Sequence, residues 1–364
     1  MKICMLAPEF LPVWGGVGSY ITELVKHLPK SIEIHVVTPF RRRLGKYKVS
    51  SDEYDYSKYF GSNVCIHFIS KAFDTFFYNA SFQYAVAKYV PKLVKNENID
   101  IIHSHTAHMP DLLLQFKNIK APIVTTIHTT IKGQREGTRI SGISFWELEL
   151  SEKMTFIMYP LLRLAEEVYL VKDRFYITVS NWMKKQLLKN YPRMRRRRIY
   201  VIHNAVDVNL FSPGRVRNRN DIAEDKEVVL FTGRLIAAKG VGVLIKAIPK
   251  VLEEYKEVLF LFIGPGNPEP YIKKLGRMNI PKSNYKFLGY LKYREELVNY
   301  YRMADIFVAP TFYENLPIRV LEAMSCKVPV IATRVGCVPD VIINNRTGIL
   351  IPSRSSDHIV SAIS

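Results

Sequence analysis

Two glutamates, Glu314 and Glu322, stand where a buried strand gives way to a helix. The apolar, β-branched run at residues 306–310 predicts the strand, and Pro317 suits the first helical position because no N–H is needed there. A helix N-terminus at the carboxyl end of a parallel sheet commonly binds a phosphate group of a ligand. Carboxylates at this place do not bind the phosphate, but they accept hydrogen bonds from sugar hydroxyls beside it. If the stretch between them is helical, their backbones lie about 12 Å apart. The carboxyl groups of a glycoside hydrolase lie roughly 5 to 9.5 Å apart, so the spacing argues against hydrolysis.

Two cations, Arg234 and Lys239, flank a loop that opens at Gly233 and closes at Gly240. The loop joins a predicted strand to a helix predicted over residues 241–251. The planar fork of Arg234 and the point charge of Lys239 together suit a diphosphate. The alternative is a pair of solvated loop cations without a ligand, which is common on protein surfaces.

Three further loops follow predicted strands. Gly16 lies in Gly15–Gly18, where a backbone without Cβ can present N–H groups to a phosphate, although a tight structural turn has the same pattern. Gly264 and Tyr290 follow two strands of the second half, and the aromatic face of Tyr290 suits a nucleobase. Neither half carries GxGxxG followed by a ribose-binding acid, which argues against a nicotinamide dehydrogenase.

His105 follows a short strand predicted over residues 99–103, which places it at the carboxyl edge of the sheet. A single imidazole there can orient or polarise a reacting group. Zinc is the alternative, but no carboxylate or cysteine nearby in the sequence completes a ligand set, so no metal site is predicted.

Strand and helix patterns alternate twice along the chain, which predicts two doubly wound parallel sheets. The first series spans residues 1–204 and the second spans residues 214–364, with a polar linker over residues 205–213 between them. Other predicted elements are a helix over 20–28, a polar loop over 132–139, a long helix over 146–171 and a helix over 182–188 capped by Ser180.

The 364 residues are enough for two domains of ordinary size. No run of eighteen uncharged apolar residues occurs, and the N-terminus enters a strand directly, so neither a spanning helix nor a signal peptide is predicted. The cysteines show no metal spacing and lie in or beside apolar segments, which predicts buried free thiols in a reducing cytosol. They are Cys4, Cys65, Cys326 and Cys337.

The net charge is +19, and residues 1–200 carry most of it, with 30 Lys and Arg against 17 Asp and Glu. Basic runs occur at residues 41–43 and 193–198. Such runs suit an anionic membrane, phosphorylated substrates or nucleic acid, whereas the alternative is a solvated surface in a basic or hot-growing organism. Nucleic acid ranks low because no aromatic residues interleave with the basic ones.

The motifs, taken in order, resemble the family 4 retaining glycosyltransferases of GT-B fold over almost the whole chain. They read GGVGSYITEL, HSH, VSNWMKKQL, VIHNAVDVNLFSP, GRLIAAKG, FLGY, and ENLPIRVLEAMSCKVPVIATRVGCVPDVI followed by NRTGILI. The resemblance implies two Rossmann-like domains that face each other across a cleft, with a nucleotide-sugar donor mostly on the second domain.

By that resemblance, Arg234 and Lys239 neutralise the leaving diphosphate in place of a metal ion, so no cofactor is implied. Glu322 holds the ribose hydroxyls and Glu314 holds the transferred sugar. His105 lies beside the sugar and stabilises positive charge at its anomeric carbon through its backbone or ring. The remaining donor-binding residues are Gly16, Gly264, Tyr290, Asn315 and Leu316.

The implied enzyme is a cytoplasmic retaining hexosyltransferase with a lipid-linked, glycan or polyol-phosphate acceptor, in peripheral contact with an anionic membrane. A sugar-nucleotide epimerase or phosphorylase on the same fold is the alternative. Asn315–Pro317 replaces the commonest Gly-Phe-Gly, and Pro317 removes one backbone N–H from the donor site. Ala205 and Lys327 also replace usual glycines. The chain ends soon after residue 357, which predicts either a short form or a truncated chain.

Overall fold

The computed structural model describes residues 1–13, 15–44, 47–73, 76–106, 109–215, 222–223 and 225–364, with only the backbone described at residue 44. These residues form two compact units, one of residues 1–133 with 154–204 and the other of residues 134–153 with 205–364. Each unit contains a parallel sheet with helices, which confirms the predicted class of two Rossmann-like domains. Residues 134–153, which the sequence assigned to the first domain, pack with the second unit.

The first unit is built on a seven-stranded sheet. Its strands are β1 (Lys2–Leu6), β2 (Glu33–Arg41), β5 (Val64–Ala72), β6 (Ile101–His105), β7 (Ile123–Ile127), β8 (Phe175–Thr178) and β9 (Arg198–Val201), and a separate hairpin holds β3 (Arg43–Leu44) and β4 (Tyr47–Lys48). The sheet order is β5-β2-β1-β6-β7-β8-β9, with parallel neighbours. The order reverses between β1 and β6, so the loops that follow these strands diverge and leave a crevice.

The helices described in residues 1–204 are α1 (Gly16–His27), α2 (Tyr78–Glu97), α3 (Ile131–Ile140), α4 (Leu150–Ile157), α5 (Tyr159–Leu170) and α6 (Asn181–Asn190). The predicted cap of α6 is confirmed, because the Ser180 hydroxyl accepts the Met183 backbone N–H at 3.0 Å. An N-terminal hydroxyl of this kind satisfies one of the donors that the first turn leaves unpaired.

Several local predictions were wrong. The first helix begins at Gly16 and not at residue 20, and the long helix predicted over residues 146–171 is broken into a 3-10 turn, α4 and α5. The predicted polar loop over residues 132–139 is helix α3. Its buried face contains Gly133, Gly137 and Thr138, so small residues take the place of the apolar stripe that would have indicated a helix. Cys65, on the edge strand β5, is exposed, although it was predicted to be buried.

The second unit is built on a six-stranded sheet. Its strands are β10 (Glu227–Thr232), β11 (Val258–Ile263), β12 (Tyr285–Gly289), β13 (Ile306–Ala309), β14 (Val330–Thr333) and β15 (Ile349–Ile351). Its helices are α7 (Val241–Glu254), α8 (Glu269–Arg277), α9 (Arg294–Met303), α10 (Ile318–Ser325), α11 (Val338–Val341) and α12 (Ser356–Ile363). The order β12-β11-β10-β13-β14-β15, with parallel neighbours, reverses between β10 and β13.

The sheet of the second unit is buried on both faces. Alternate residues of β10, such as Leu230 and Phe231, belong to two separate apolar clusters because successive side chains of a strand point to opposite faces. Parallel strands covered on both sides read as continuous apolar runs, which is why the sequence predicted them well.

Candidate functional site

The predicted Arg234, Lys239 and Glu314 come together at the switch point of the second sheet. β10 and β13 are hydrogen-bonded neighbours, and the loops that leave their carboxyl ends carry these three residues. Ligands of open α/β sheets bind at this place because the two loops run to opposite sides. The topology therefore explains why residues 75 positions apart, Lys239 and Glu314, meet.

Glu314 lies between two cations. Its Oε1 accepts hydrogen bonds from Lys239 Nζ at 2.6 Å and from Arg319 Nη2 at 3.1 Å. Burial opposes ionisation of Glu314, but these two cations hold its pKa below the ordinary value. Burial also lowers the pKa of Lys239, against the attraction of Glu314. The two cations against one carboxylate leave a net positive charge at the switch point.

Arg319, which the sequence did not predict, joins this cluster to the end of β10. Its Nη1 donates to the Thr232 carbonyl at 2.7 Å, and its Nε–H is buried with no hydrogen-bond partner among the residues the structure describes. Arg319 lies in the first turn of α10, five residues after Glu314. A largely buried guanidinium with an unused Nε–H donor beside a helix N-terminus suits an anionic ligand.

Glu322, on α10, forms a second buried network. Its Oε1 accepts from Arg294 Nη2 at 2.5 Å, and its Oε2 accepts from the Tyr301 hydroxyl at 2.9 Å. Burial raises the pKa of Tyr301, so its hydroxyl stays protonated and can donate. The same hydroxyl lies 2.8 Å from Thr232 Oγ1, so Tyr301 and Thr232 connect the surroundings of Glu314 and Glu322.

Arg234 lies on the loop after β10, but it contacts a segment distant in sequence. Its Nη2 donates to the Ser151 hydroxyl at 3.2 Å. The charge of Arg234 also contributes to the lowered pKa of Lys239, after the larger effect of burial. The predicted pair of cations therefore lies on one loop, with Lys239 bound to Glu314 and Arg234 bound to Ser151.

Two carboxylates in residues 134–153, the segment that contains Ser151, accept hydrogen bonds from the backbone of neighbouring loops. Glu152 Oε2 accepts the Ala237 N–H at 3.5 Å, and Glu149 Oε1 accepts the Asn267 N–H at 3.2 Å. Burial raises the pKa of Glu152. The partners lie 85 and 118 residues apart, so no local sequence signal could have revealed them. Carboxyl oxygens of residues 134–153 thus accept hydrogen bonds from backbone amides at the carboxyl edge of the second sheet.

The remaining predicted residues of this unit line the same carboxyl edge. Gly264 has a φ of +143°, and a Cβ there would lie 2.0 Å from the Gly233 carbonyl oxygen, so only glycine allows this approach. Asn315 and Leu316 are buried in the loop before α10, and Tyr290 is half-buried directly after β12. Pro317 was predicted at the first position of α10, but it lies at the N-cap, one residue earlier.

In the first unit, Gly16 and His105 lie at the switch point between β1 and β6. His105 was predicted to lie just past the strand end, but it is the last residue of β6. Its ring is fully buried, with Nδ1 3.1 Å from His128 Nε2 and Nε2 3.2 Å from Met5 Sδ. Burial, and then the neighbouring imidazoles, hold the pKa of His105 well below its ordinary value. The ring is therefore neutral and shielded from solvent.

Gly16 begins α1. A Cβ at Gly16 would meet no atom within 4 Å, whereas one at Gly18 would lie 2.7 Å from the Val13 carbonyl oxygen. Gly18 is thus required for packing, and Gly16 leaves open space beside a helix N-terminus.

Two Rossmann-like units, the second with a cationic cluster at its switch point, define the class of GT-B glycosyltransferases. Sequence comparison identifies the family. Residues 14–210 match the model of the family described as Glycosyltransferase Family 4, and residues 214–364 match that of Glycosyl transferases group 1. The chain belongs to Glycosyltransferase Family 4, as its motifs predicted.

Two relatives match nearly the whole chain. Alpha-maltose-1-phosphate synthase of Mycolicibacterium smegmatis is 26% identical, over 98% of this chain and 86% of that protein. An uncharacterised glycosyltransferase of Methanocaldococcus jannaschii is 27% identical, over 96% of this chain and 84% of that protein. These matches support glycosyl transfer as the activity of the chain.

Two solved structures have the same fold. Sucrose-phosphate synthase from Thermosynechococcus elongatus superposes with a TM-score of 0.76 at 17% identity, covering 100% of this chain and 88% of that one. Anabaena HepE in complex with UDP and glucose gives 0.72 at 17% identity, covering 100% and 89%. At such identities the likeness concerns the fold alone.

Proposed function

We propose that this glycosyltransferase moves a hexose from a nucleotide-sugar donor to its acceptor with retention of anomeric configuration. The observation that carries the proposal is the pairing of two cations, Lys239 and Arg319, with one carboxylate, Glu314, at a switch point. Arg234 adds a third cation on the same loop as Lys239. A donor diphosphate matches this excess of positive charge. The solved structure of Anabaena HepE with UDP and glucose supports a donor of this class.

The two glutamates then hold opposite parts of the donor. Glu314 lies beside Lys239 and Arg319 and orients the sugar. Glu322 lies deeper, beside Arg294 and Tyr301, and accepts hydrogen bonds from the ribose hydroxyls. Each carboxylate oxygen has two lone-pair sites, so Glu322 can accept from ribose while it keeps its protein partners.

Retention follows from front-face attack without a protein nucleophile. The acceptor oxygen bonds to the anomeric carbon as the bond from that carbon to the phosphate oxygen breaks, and the acceptor proton passes to the leaving phosphate. Glu314 is held by two cations, which reduces its nucleophilicity. Because the ring of His105 is neutral and buried, we assign any role of this residue in the transfer to its backbone.

The three cations Lys239, Arg319 and Arg234, which we call the diphosphate clamp, take the place of a metal ion. Lys239, Arg319 and Arg234 supply fixed positive charge where negative charge develops on the leaving diphosphate. We therefore propose that the transfer needs no divalent metal and no cofactor.

The acceptor is a lipid-linked, glycan or polyol-phosphate molecule at the cytoplasmic face of a membrane. A groove of about 610 Å³ opens between β5 and α2, and its lining includes Phe68, Tyr84, Lys88 and Lys92. The Lys88 ammonium lies 4.3 Å from the centre of the Tyr84 ring. Aromatic and cationic side chains of this kind favour an anionic interface. None of the described helices is both long and apolar enough to cross a bilayer, so the proposed contact is peripheral.

The activity test measures nucleotide released from UDP-, GDP- and ADP-hexoses with a membrane extract as acceptor source. We expect release with one donor, unchanged by EDTA, together with a glycosylated product of retained configuration. An epimerised nucleotide sugar without transferred hexose would favour the epimerase alternative, and a requirement for inorganic phosphate would favour the phosphorylase.

Membrane contact predicts sedimentation with phosphatidylglycerol vesicles that weakens as salt rises. Replacing Lys88 and Lys92 with glutamine should weaken binding roughly 10- to 30-fold, since each lysine near an anionic surface contributes about 1 kcal/mol. The matched control is Lys273→Gln with Arg277→Gln, which removes the same charge at the same spacing from an exposed helix of the second unit, α8. Equal binding to phosphatidylcholine vesicles, or an equal loss in the control, would contradict docking through the groove.

A further inference from the structure

One face of α5 is both apolar and exposed. Ile157, at the end of α4, is 63% exposed, and Leu161 and Leu164 are each 60% exposed. Val168 and Val171 continue the row at 41% and 40%. The opposite face of α5 packs inward through Tyr169 and Leu170, so this helix is apolar on both sides. An exposed apolar row of this length indicates a surface that another molecule covers.

The row has the spacing of a coiled-coil seam. Its members on α5 and directly after it are separated by three, four and three residues, which places Leu161 and Val168 at a positions and Leu164 and Val171 at d positions of a heptad. Ile157 extends the apolar surface from the end of α4, across the break at Met158. Val171 keeps helical backbone angles, with φ of −73° and ψ of −23°. The seam therefore continues one residue beyond the end of α5, and its natural occupant is another helix of the same pattern.

We propose that this seam pairs in parallel with the same seam of a second copy of the chain. In a parallel pair, a residue at position g faces the residue five positions later, at position e, of the other helix. Glu167 occupies g, and Lys172, the residue directly after the helical angles of Val171, falls at e. Two-fold symmetry then forms the Glu167 to Lys172 pair twice, so the seam is complementary to itself in charge as well as in shape.

The local contacts of both charges are compatible with this pairing. Glu167 Oε1 lies 3.1 Å from Arg163 Nη2, and a carboxylate keeps further lone pairs for a second donor. The Lys172 ammonium lies 5.1 Å from the centre of the Phe116 ring, which is itself 63% exposed. Phe116 thus extends the apolar surface at the end of the seam.

A membrane fits this seam less well than a second copy. Helices that lie in a membrane interface carry Lys and Arg along their polar flanks. Here the flanking g and e positions include Glu167 and Lys172, one charge of each sign, and the guanidinium of Arg163 is already engaged by Glu167. The flanks are balanced in charge, which suits a protein partner.

Sedimentation velocity of the full chain from about 1 to 100 µM tests the pairing. We expect a dimer whose population rises with concentration, and Leu164→Glu should weaken association at least 100-fold. Ile343→Glu is the matched control, because Ile343 is similarly exposed, at 57%, on the second unit. A monomer throughout this range, or an unchanged dimer in Leu164→Glu, would overturn the proposal.

Charge exchange tests the parallel register. Glu167→Lys and Lys172→Glu should each weaken the dimer about tenfold, since each places like charges opposite one another, and the double variant should restore it. Failure of the double variant to restore the dimer would overturn the parallel pairing. Thermal unfolding of each variant verifies the fold, and none of these measurements depends on catalysis, so the result is independent of the proposed function.

Discussion

Replacing Lys239 with alanine is expected to lower kcat/KM for nucleotide-sugar turnover about 100- to 1,000-fold. Removing one fixed group that stabilises developing negative charge has an effect of this size in other enzymes. Lys239 also holds Glu314 at 2.6 Å, so its loss leaves Arg319 as the remaining partner of Glu314 in this ion-pair cluster. The measurement is initial rates of nucleotide release across a range of donor concentrations.

Lys250→Ala provides the matched control for this variant. Lys250 lies on α7, directly before the buried Val251, and forms an exposed ion pair with Asp357 at 2.7 Å. Exposed pairs contribute little, so Lys250→Ala should leave kcat/KM within twofold of the wild type. If Lys239→Ala kept more than a tenth of wild-type kcat/KM, the assignment of the diphosphate clamp would be wrong.

The second large effect concerns stability. Replacing Glu322 with alanine should lower the free energy of unfolding of the second unit by about 3 to 5 kcal/mol, because it leaves the buried guanidinium of Arg294 without its carboxylate. The Tyr301 hydroxyl loses an acceptor in the same change. Differential scanning calorimetry should show a lower midpoint for one of two transitions.

Two further variants separate charge from packing at Glu322. Glu322→Gln keeps an acceptor for Arg294 and should destabilise less than alanine does. Asp357→Ala removes an exposed carboxylate and should change the free energy of unfolding by less than about 1 kcal/mol. A Glu322→Ala protein as stable as Asp357→Ala would show that the buried network does not hold the second unit together.

The parallel sheets could be predicted because their strands are buried on both faces and carry little else but apolar residues. The strand predicted over residues 306–310 is β13, one residue shorter. The loops that follow β10 and β13 were also identified, because glycines, a proline and charged residues interrupt the apolar pattern there. Their convergence at one edge follows from the topology that alternating strands and helices produce.

What the sequence did not reveal depends on distant contacts. Arg319 looked like an ordinary helix residue until Thr232, 87 positions away, supplied its acceptor. Arg294 and Tyr301 pair with Glu322 over 28 and 21 positions. His105 was predicted to act through its backbone or ring, and only its packing against Met5 and His128 shows that the ring is enclosed.

The division of the chain into units has a consequence for how the protein is made. The second unit is discontinuous, since residues 134–153 are synthesised before residues 154–204 complete the first unit and well before residues 205–364 exist. During synthesis the first unit can fold as its own residues emerge. Glu149 and Glu152, in residues 134–153, can form their hydrogen bonds only after the loops that follow β10 and β11 have been synthesised. The second unit therefore assembles last, and it incorporates residues 134–153, which were synthesised earlier with the first half of the chain.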